Sequence, residues 1–269
     1  MNPLYILSRI LILSLVLLTW SCKDDSQQTS NTTPSPQAAQ DYRIVNRIAH
    51  DAKAFTQGLE YHEGIIYEST GQYGSSWIST YDLGTLEYEK KAILNKKYFG
   101  EGMTLYDGKI YQLTYKAGKM MVYDAETYAV LDEYDYSESF AEGWGLSNNG
   151  EQLIISDGTS TIYFMDPSDY SIAQKINVKK GNQGVRRLNE LEYVDGSIYA
   201  NIWQTNTIVK INPNTGDILQ EYDLSSLYKM INHGQDMDVL NGIAYNSTKE
   251  TFYVTGKYWP YLFEIKLLK

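Results

Sequence analysis

Five residues of different chemistry occupy one register position in this chain. Gln57, Glu101, Trp144, Asn189 and Asn241 each directly precede a short segment that recurs along the sequence. A carboxylate can take a proton and return it. Carboxamides can donate hydrogen bonds to a developing oxyanion. An indole can enclose an apolar stem. Glu101 is the hardest to explain as scaffold: it lies in Phe99-Gly-Glu-Gly102, and a carboxylate among glycines and a phenyl ring is costly unless used or paired. Asn241 alone reads equally well as a turn residue serving backbone groups. Trp144, between two glycines, is compatible with plain packing.

A repeating fold would bring these five positions, far apart in the chain, to equivalent places. Gly58-Leu-Glu-Tyr-His-Glu-Gly-Ile-Ile-Tyr67, Gly102-Met-Thr-Leu-Tyr-Asp-Gly-Lys-Ile-Tyr111 and Glu190-Leu-Glu-Tyr-Val-Asp-Gly-Ser-Ile-Tyr199 align without gaps. Segments starting at Gly145 and Gly242 join them with a shifted or longer turn, so the starts are spaced 44, 43, 45 and 52 residues apart. Asx-Gly between alternating apolar runs is a hairpin signal. Each unit reads as four short strands; in the second these are Gly102–Tyr106, Lys109–Tyr115, Met120–Asp124 and Tyr128–Tyr134. Four strands at this period make a propeller blade. The sequence therefore predicts an all-β, five-bladed β-propeller, in preference to a two-sheet sandwich with coincidental spacing. The fifth unit ends after its third strand, Leu262–Leu268, and Asp41–Ala49 is strand-like. It is expected to complete the last blade, because an open ring leaves an unpaired edge.

In a propeller the aligned strand is innermost, so its starts meet around one axis. The loops between second and third strands open on the same face. They are Gly71–Trp77, Lys116–Lys119, Asp157–Ser160, Trp203–Thr207 and Gly256–Pro260. Trp203, Lys257 and Trp259 are thus expected near Glu101, Asn189 and Gln57. Indole walls would raise the pKa of Glu101 by desolvation, and Lys257 would lower it; the sequence does not decide between them.

Composition narrows the chemistry. Of 269 residues 25 are Tyr and only 6 Phe, a bias suited to pleated, half-buried surfaces. A net charge of −10 argues against nucleic acid, whose phosphates need a positive field. The chain has one cysteine and three scattered histidines, without the spacing of a zinc site. Residues 1–21, with Arg9 and the apolar run Ile10–Trp20, read as a signal peptide. Ser21-Cys22-Lys23-Asp24-Asp25 resembles a lipoprotein cleavage site, with Cys22 as the lipidated residue and an acidic export tag after it. The competing reading is a plain secreted protein with an incidental cysteine. Residues 22–40 are polar enough to form a flexible tether. Residues 41–269 form the propeller. The protein is thus expected to be exported, as an outer-membrane (surface-exposed) lipoprotein or a periplasmic protein, touching membrane only through its lipid. Closed propellers need no partner to fold, so a monomer is expected.

Motifs in every blade resemble the plant-type glutaminyl-peptide cyclotransferases. They are Phe55-Thr-Gln-Gly-Leu59, Glu68-Ser-Thr-Gly-Gln-Tyr-Gly-Ser75, Phe99-Gly-Glu-Gly102, Glu142-Gly-Trp-Gly-Leu146, Ser156-Asp-Gly-Thr159, Leu188-Asn-Glu-Leu-Glu192, Ala200-Asn-Ile-Trp-Gln-Thr205, Leu240-Asn-Gly-Ile-Ala244 and Val254-Thr-Gly-Lys-Tyr-Trp-Pro260. One departure is Trp77-Ile78, where relatives carry a small or aliphatic residue followed by Arg. The resemblance implies metal-independent, cofactor-free conversion of an N-terminal glutamine to pyroglutamate with release of ammonia. It implies Glu101 as general acid and base, and Gln57, Asn189 and Lys257 as oxyanion donors. Trp144 and Trp203 would enclose the glutamine stem, with Phe55 and Phe99 in the same substrate-binding set and Asn241 and Trp259 as secondary candidates for it. The implied partners are peptides or proteins with N-terminal Gln. Two other functions compete: a non-catalytic propeller that binds a peptide or partner, and a calcium-dependent hydrolase of the lactonase kind. The latter needs several converging carboxylates, whereas the aligned ring holds one.

Overall fold

The computed structural model describes residues 41–231 and 237–268. The expected signal peptide, Cys22 and the tether lie outside the described residues. Among the described residues are five four-stranded antiparallel sheets. Blade one runs Thr56–His62, Ile65–Thr70, Trp77–Asp82, Tyr88–Ile93, and blade two Gly100–Tyr106, Lys109–Thr114, Lys119–Asp124, Val130–Asp135. Blade three runs Leu146–Asn148, Leu153–Ser156, Thr161–Met165, Ile172–Asn177, and blade four Leu188–Val194, Ser197–Ile202, Thr207–Ile211, Ile218–Asp223. Blade five takes Leu240–Asn246, Thr251–Gly256 and Tyr261–Leu267 from the end of the chain and Tyr42–Ala49 from its beginning. That closing strand pairs antiparallel with the third, from Tyr42 opposite Leu267 to Ala49 opposite Tyr261. The ring is latched as the sequence predicts.

Turn chemistry sets the register. The inner hairpins turn at Glu63-Gly64, Asp107-Gly108 and Asp195-Gly196, with φ of 48° and 92°, 47° and 70°, and 48° and 75°. Two successive positive φ values match the twist of the flanking strands and need Asx-Gly-like pairs. Between third and fourth strands an Asx side chain makes the turn: Asp82 Oδ1 accepts from the Gly84 and Thr85 amides, and Asp124 Oδ1 from those of Glu126 and Thr127. Tyr128 sits in one such turn at φ 58°, so the outer strand of blade two starts at Val130 rather than at the expected Tyr128.

Apolar layers fill the wedges between blades. One groups Tyr42, Tyr222, Leu240, Trp259 and Phe263, another Tyr111, Leu113, Tyr136, Phe140 and Leu146. Around the axis, glycine lets neighbouring backbones touch: a Cβ on Gly58 would lie 2.5 Å from Met103 N, one on Gly102 2.4 Å from Leu146 N, and one on Gly145 2.0 Å from Asn189 O. Blade four replaces that glycine with Glu190. Its carboxylate accepts from the Leu59 amide of blade one at 3.1 Å and the Ile243 amide of blade five at 2.8 Å, so this acid staples blades together.

Candidate active site

Four of the five strand starts invoked above, Asn241 excepted, reach one cavity of about 230 Å³, lined by Phe55, Gln57, Phe99, Glu101, Tyr115, Trp144, Asn189, Trp203, Asp238 and Lys257. The backbone explains why these side chains turn inward. The inner pairs shift register between Thr56 and Gly58, Gly100 and Met103, Leu188 and Leu191, and Leu240 and Ile243. Gln57, Glu101, Asn189 and Asn241 sit in those irregularities. A bulge frees a residue from the ladder and re-aims its side chain.

Glu101 is buried, only 4% exposed, and its carboxylate accepts no hydrogen bond among the described residues. Burial raises its pKa well above the ordinary carboxylate range; Lys257 opposes this and Glu142 adds to it. Desolvation therefore wins the contest that the sequence leaves open. Lys257 is also buried, and its ammonium lies 4.5 Å over the Phe55 ring. Burial lowers its pKa, with Glu101 and Asp238 holding it up.

The amides are arranged as donors. Asn241 Nδ2 donates to Thr56 O at 3.0 Å and to Gln57 Oε1 at 3.2 Å. Its amide thereby occupies the Gln57 oxygen and leaves Gln57 Nε2 without a partner among the described residues. Asn241 orients Gln57 and does not line the cavity. Asn189 makes no side-chain hydrogen bond among the described residues, and its Oδ1 is buried.

Aromatic rings form the walls. Phe99 meets Phe55 edge-on with centroids 5.9 Å apart, and Trp144 meets Trp203 edge-on at 5.5 Å. The Trp144 indole donates from Nε1 to Glu142 Oε2 at 3.0 Å. Behind it lies Gly158, at φ 75°, where a Cβ would stand 2.6 Å from the indole ring.

Two expectations change. Trp259 does not line the cavity; it is fully buried among Tyr228, Leu240 and Phe263, its Nε1 donating to Asp238 O at 2.9 Å. Its apolar surface is better satisfied inside blade five than at the mouth. Trp77 and Ile78 lie on the third strand of blade one rather than in a loop. Trp77 donates to Tyr88 OH at 2.8 Å beneath Lys90, and Ile78 enters the core, so the departure does not reach the cavity.

The sequence reading also missed two lining residues. Tyr115 follows the second strand of blade two and packs on Phe99 with centroids 5.9 Å apart. Asp238 precedes the fifth inner strand. Its amide donates to Lys257 O, and the Lys257 amide donates to Val239 O, both at 3.0 Å. The available signal was the 52-residue interval between the last two starts, which marks inserted chain. That insertion holds the helix Ser225–Met230 and delivers Asp238 to the mouth.

Fold and cavity together define a five-bladed propeller with a buried acid, amide donors and aromatic walls at one end of its axis. The chain belongs to the glutamine cyclotransferase family, whose model matches residues 12–267. It is 39% identical over 227 residues to the glutaminyl-peptide cyclotransferase of Arabidopsis thaliana, across 83% of this chain and 70% of that protein. The crystal structure of Myxococcus xanthus glutaminyl cyclase matches with a TM-score of 0.75 at 32% identity, over 84% of this chain and 96% of that one.

Proposed function

We propose that the protein is a glutaminyl-peptide cyclotransferase with Glu101 as its proton carrier. The family and its two named relatives support the activity. The observation that carries the mechanism is a buried carboxyl group without hydrogen-bond partners among the described residues, raised in pKa by burial, in one cavity with the Gln57 and Asn189 amides and the Lys257 ammonium. The α-amine of an N-terminal glutamine attacks its own side-chain carbonyl carbon. A C–N bond forms, the carbonyl oxygen becomes an oxyanion, and the amine proton passes to Glu101. Glu101 returns that proton to the amide nitrogen, the old C–N bond breaks, and ammonia leaves as the carbonyl re-forms in the lactam. No water is consumed. The amine attacks as the free base and Glu101 accepts its proton as a carboxylate, so both groups enter the reaction deprotonated. An amine titrates near ~7.7–8.0, and a carboxyl raised towards it exchanges that proton at little cost. Gln57, Asn189 and Lys257 supply the oxyanion donors. Trp144 and Trp203 hold the folded-back side chain and keep out water that would deamidate it.

Purified protein should release ammonia from a Gln-peptide with EDTA present. Glu101→Gln should lower kcat by about 10²–10⁴-fold. Peptide binding without turnover would instead support a non-catalytic binding propeller. Export and anchoring through a lipid on Cys22 belong to the same proposal, supported by the apolar run before Cys22 and Asp24-Asp25 after it. Mass spectrometry of the native N-terminus tests them; an unmodified cysteine would refute the anchor.

A further inference from the structure

Glu142 precedes Trp144 by two residues and touches both the cavity wall and the surface. One carboxylate oxygen accepts the Trp144 indole N–H at 3.0 Å, and the other pairs with Lys116 Nζ at 3.5 Å. Lys116 stands in the loop between second and third strands of blade two, so the pair ties that loop to the wall. With its N–H taken by Glu142, its ring backed by Gly158 and its edge against Trp203, the Trp144 indole is held in one orientation before any ligand arrives.

We propose that Glu142 is a positioning residue of the reaction: its carboxylate fixes the Trp144 indole and sets the field in which Glu101 works. This rests on the cyclisation reading above. The charged and titratable groups facing Glu101 among the described residues are Lys257, Tyr115 and Asp238 around the cavity, Glu142 beside it, and the buried Tyr136, which feels both acids. Glu142 in turn faces Lys116. Its side chain is 29% exposed, so its charge is partly screened but acts through the protein side of the wall. A negative charge there favours the proton-bearing form of Glu101. Lys116 half-neutralises that charge, so the two groups act on Glu101 with opposite sign.

The test exploits that opposition. In a pH profile of kcat/KM, the rate rises in two steps with increasing pH, one as Glu101 ionises and one as the substrate α-amine becomes the free base near ~7.7–8.0; the Glu101 step is the acid limb that the variants move. Glu142→Gln keeps an acceptor for the indole and removes the charge, so the acid limb should move to lower pH. Lys116→Met exposes the charge of Glu142, so the limb should move to higher pH. At a fixed pH on that limb the rate relative to the optimum should rise roughly threefold in the first variant and fall by a similar factor in the second. The α-amine step should stay. Glu142→Ala also loses the indole's acceptor and should raise KM beyond Glu142→Gln. A uniform loss of rate with both steps unmoved would make Glu142 merely structural and overturn the proposal. The carboxyl carbon of Glu101, followed by ¹³C NMR titration, separates the two layers of inference. If it moves in opposite directions in the two variants while wild-type protein releases no ammonia, the cyclisation reading is refuted and the coupling stands. An unmoved carbon refutes the coupling.

Discussion

Glu101→Gln should inactivate the protein and make it more stable at neutral pH. The structure gives the reason. The carboxyl is buried without a hydrogen bond among the described residues, and burial raises its pKa well above normal. An unfolded glutamate ionises near 4.3. A raised folded pKa means stability fully present below the unfolded value and lost as pH rises through the folded one. Wild-type stability should therefore fall progressively from about pH 4.3 upwards. The amide of the variant does not titrate, so its stability lacks this slope. Each unit by which the folded pKa is raised is worth about 1.4 kcal/mol, and for a domain of this size each kcal/mol moves Tm by roughly 2–4 °C. The gap between variant and wild type should thus widen by at least about 3 °C between pH 4 and the folded pKa. Replacing an acid by an amide also adds a pH-independent offset, so the slope is the diagnostic. In a Lys257→Met background the slope should extend to higher pH, because Lys257 is what lowers the pKa of Glu101. Scanning calorimetry across pH on both pairs measures it. A gap that does not change with pH would refute the argument that Glu101 is held desolvated and unpaired.

Three further outcomes follow from particular contacts. Asn241→Leu removes the donor that occupies Gln57 Oε1, so kcat/KM should drop about tenfold, the worth of one misplaced hydrogen bond; activity per folded molecule checks it, and an unchanged value would separate Gln57 from the reaction. Gly145→Ala would set a methyl 2.0 Å from the Asn189 carbonyl oxygen. Denaturant titration should show a loss of about 1–3 kcal/mol, while Gly184→Ala, whose Cβ would find its nearest atom 3.6 Å away, serves as the neutral control. His50 lies with Nδ1 2.7 Å from Trp259 O and Nε2 3.1 Å from Glu68 Oε1, both acceptors. Burial pulls its pKa down, but the charge and hydrogen bond of Glu68 outweigh this and leave it raised. Its contribution should be full below about pH 6.5 and lost as pH rises through the folded value. The stability gap to His50→Gln should shrink over that window in thermal melts.

The sequence alone determined the ring and most of the residues that line its cavity. Turns such as Asp107-Gly108 and Asp195-Gly196 state their own backbone geometry, and their even spacing counts the blades. Gln57, Glu101, Trp144 and Asn189 were legible because the repeat assigns each the same place around the axis, while Trp203 and Lys257 follow from strand direction. Tertiary structure alone decided what depends on distance between blades. The pKa of Glu101 hinged on how fully the walls exclude water, against a lysine whose distance no spacing specifies. Asn241 shares the register of site residues and Trp259 the loop of Lys257, yet one faces Gln57 and the other the core of blade five, because a position in the repeat does not say which packing partner wins. Asp238 arrives on chain inserted outside the repeat. A local pattern carries information about neighbours in sequence; desolvation and long-range packing are set by neighbours in space.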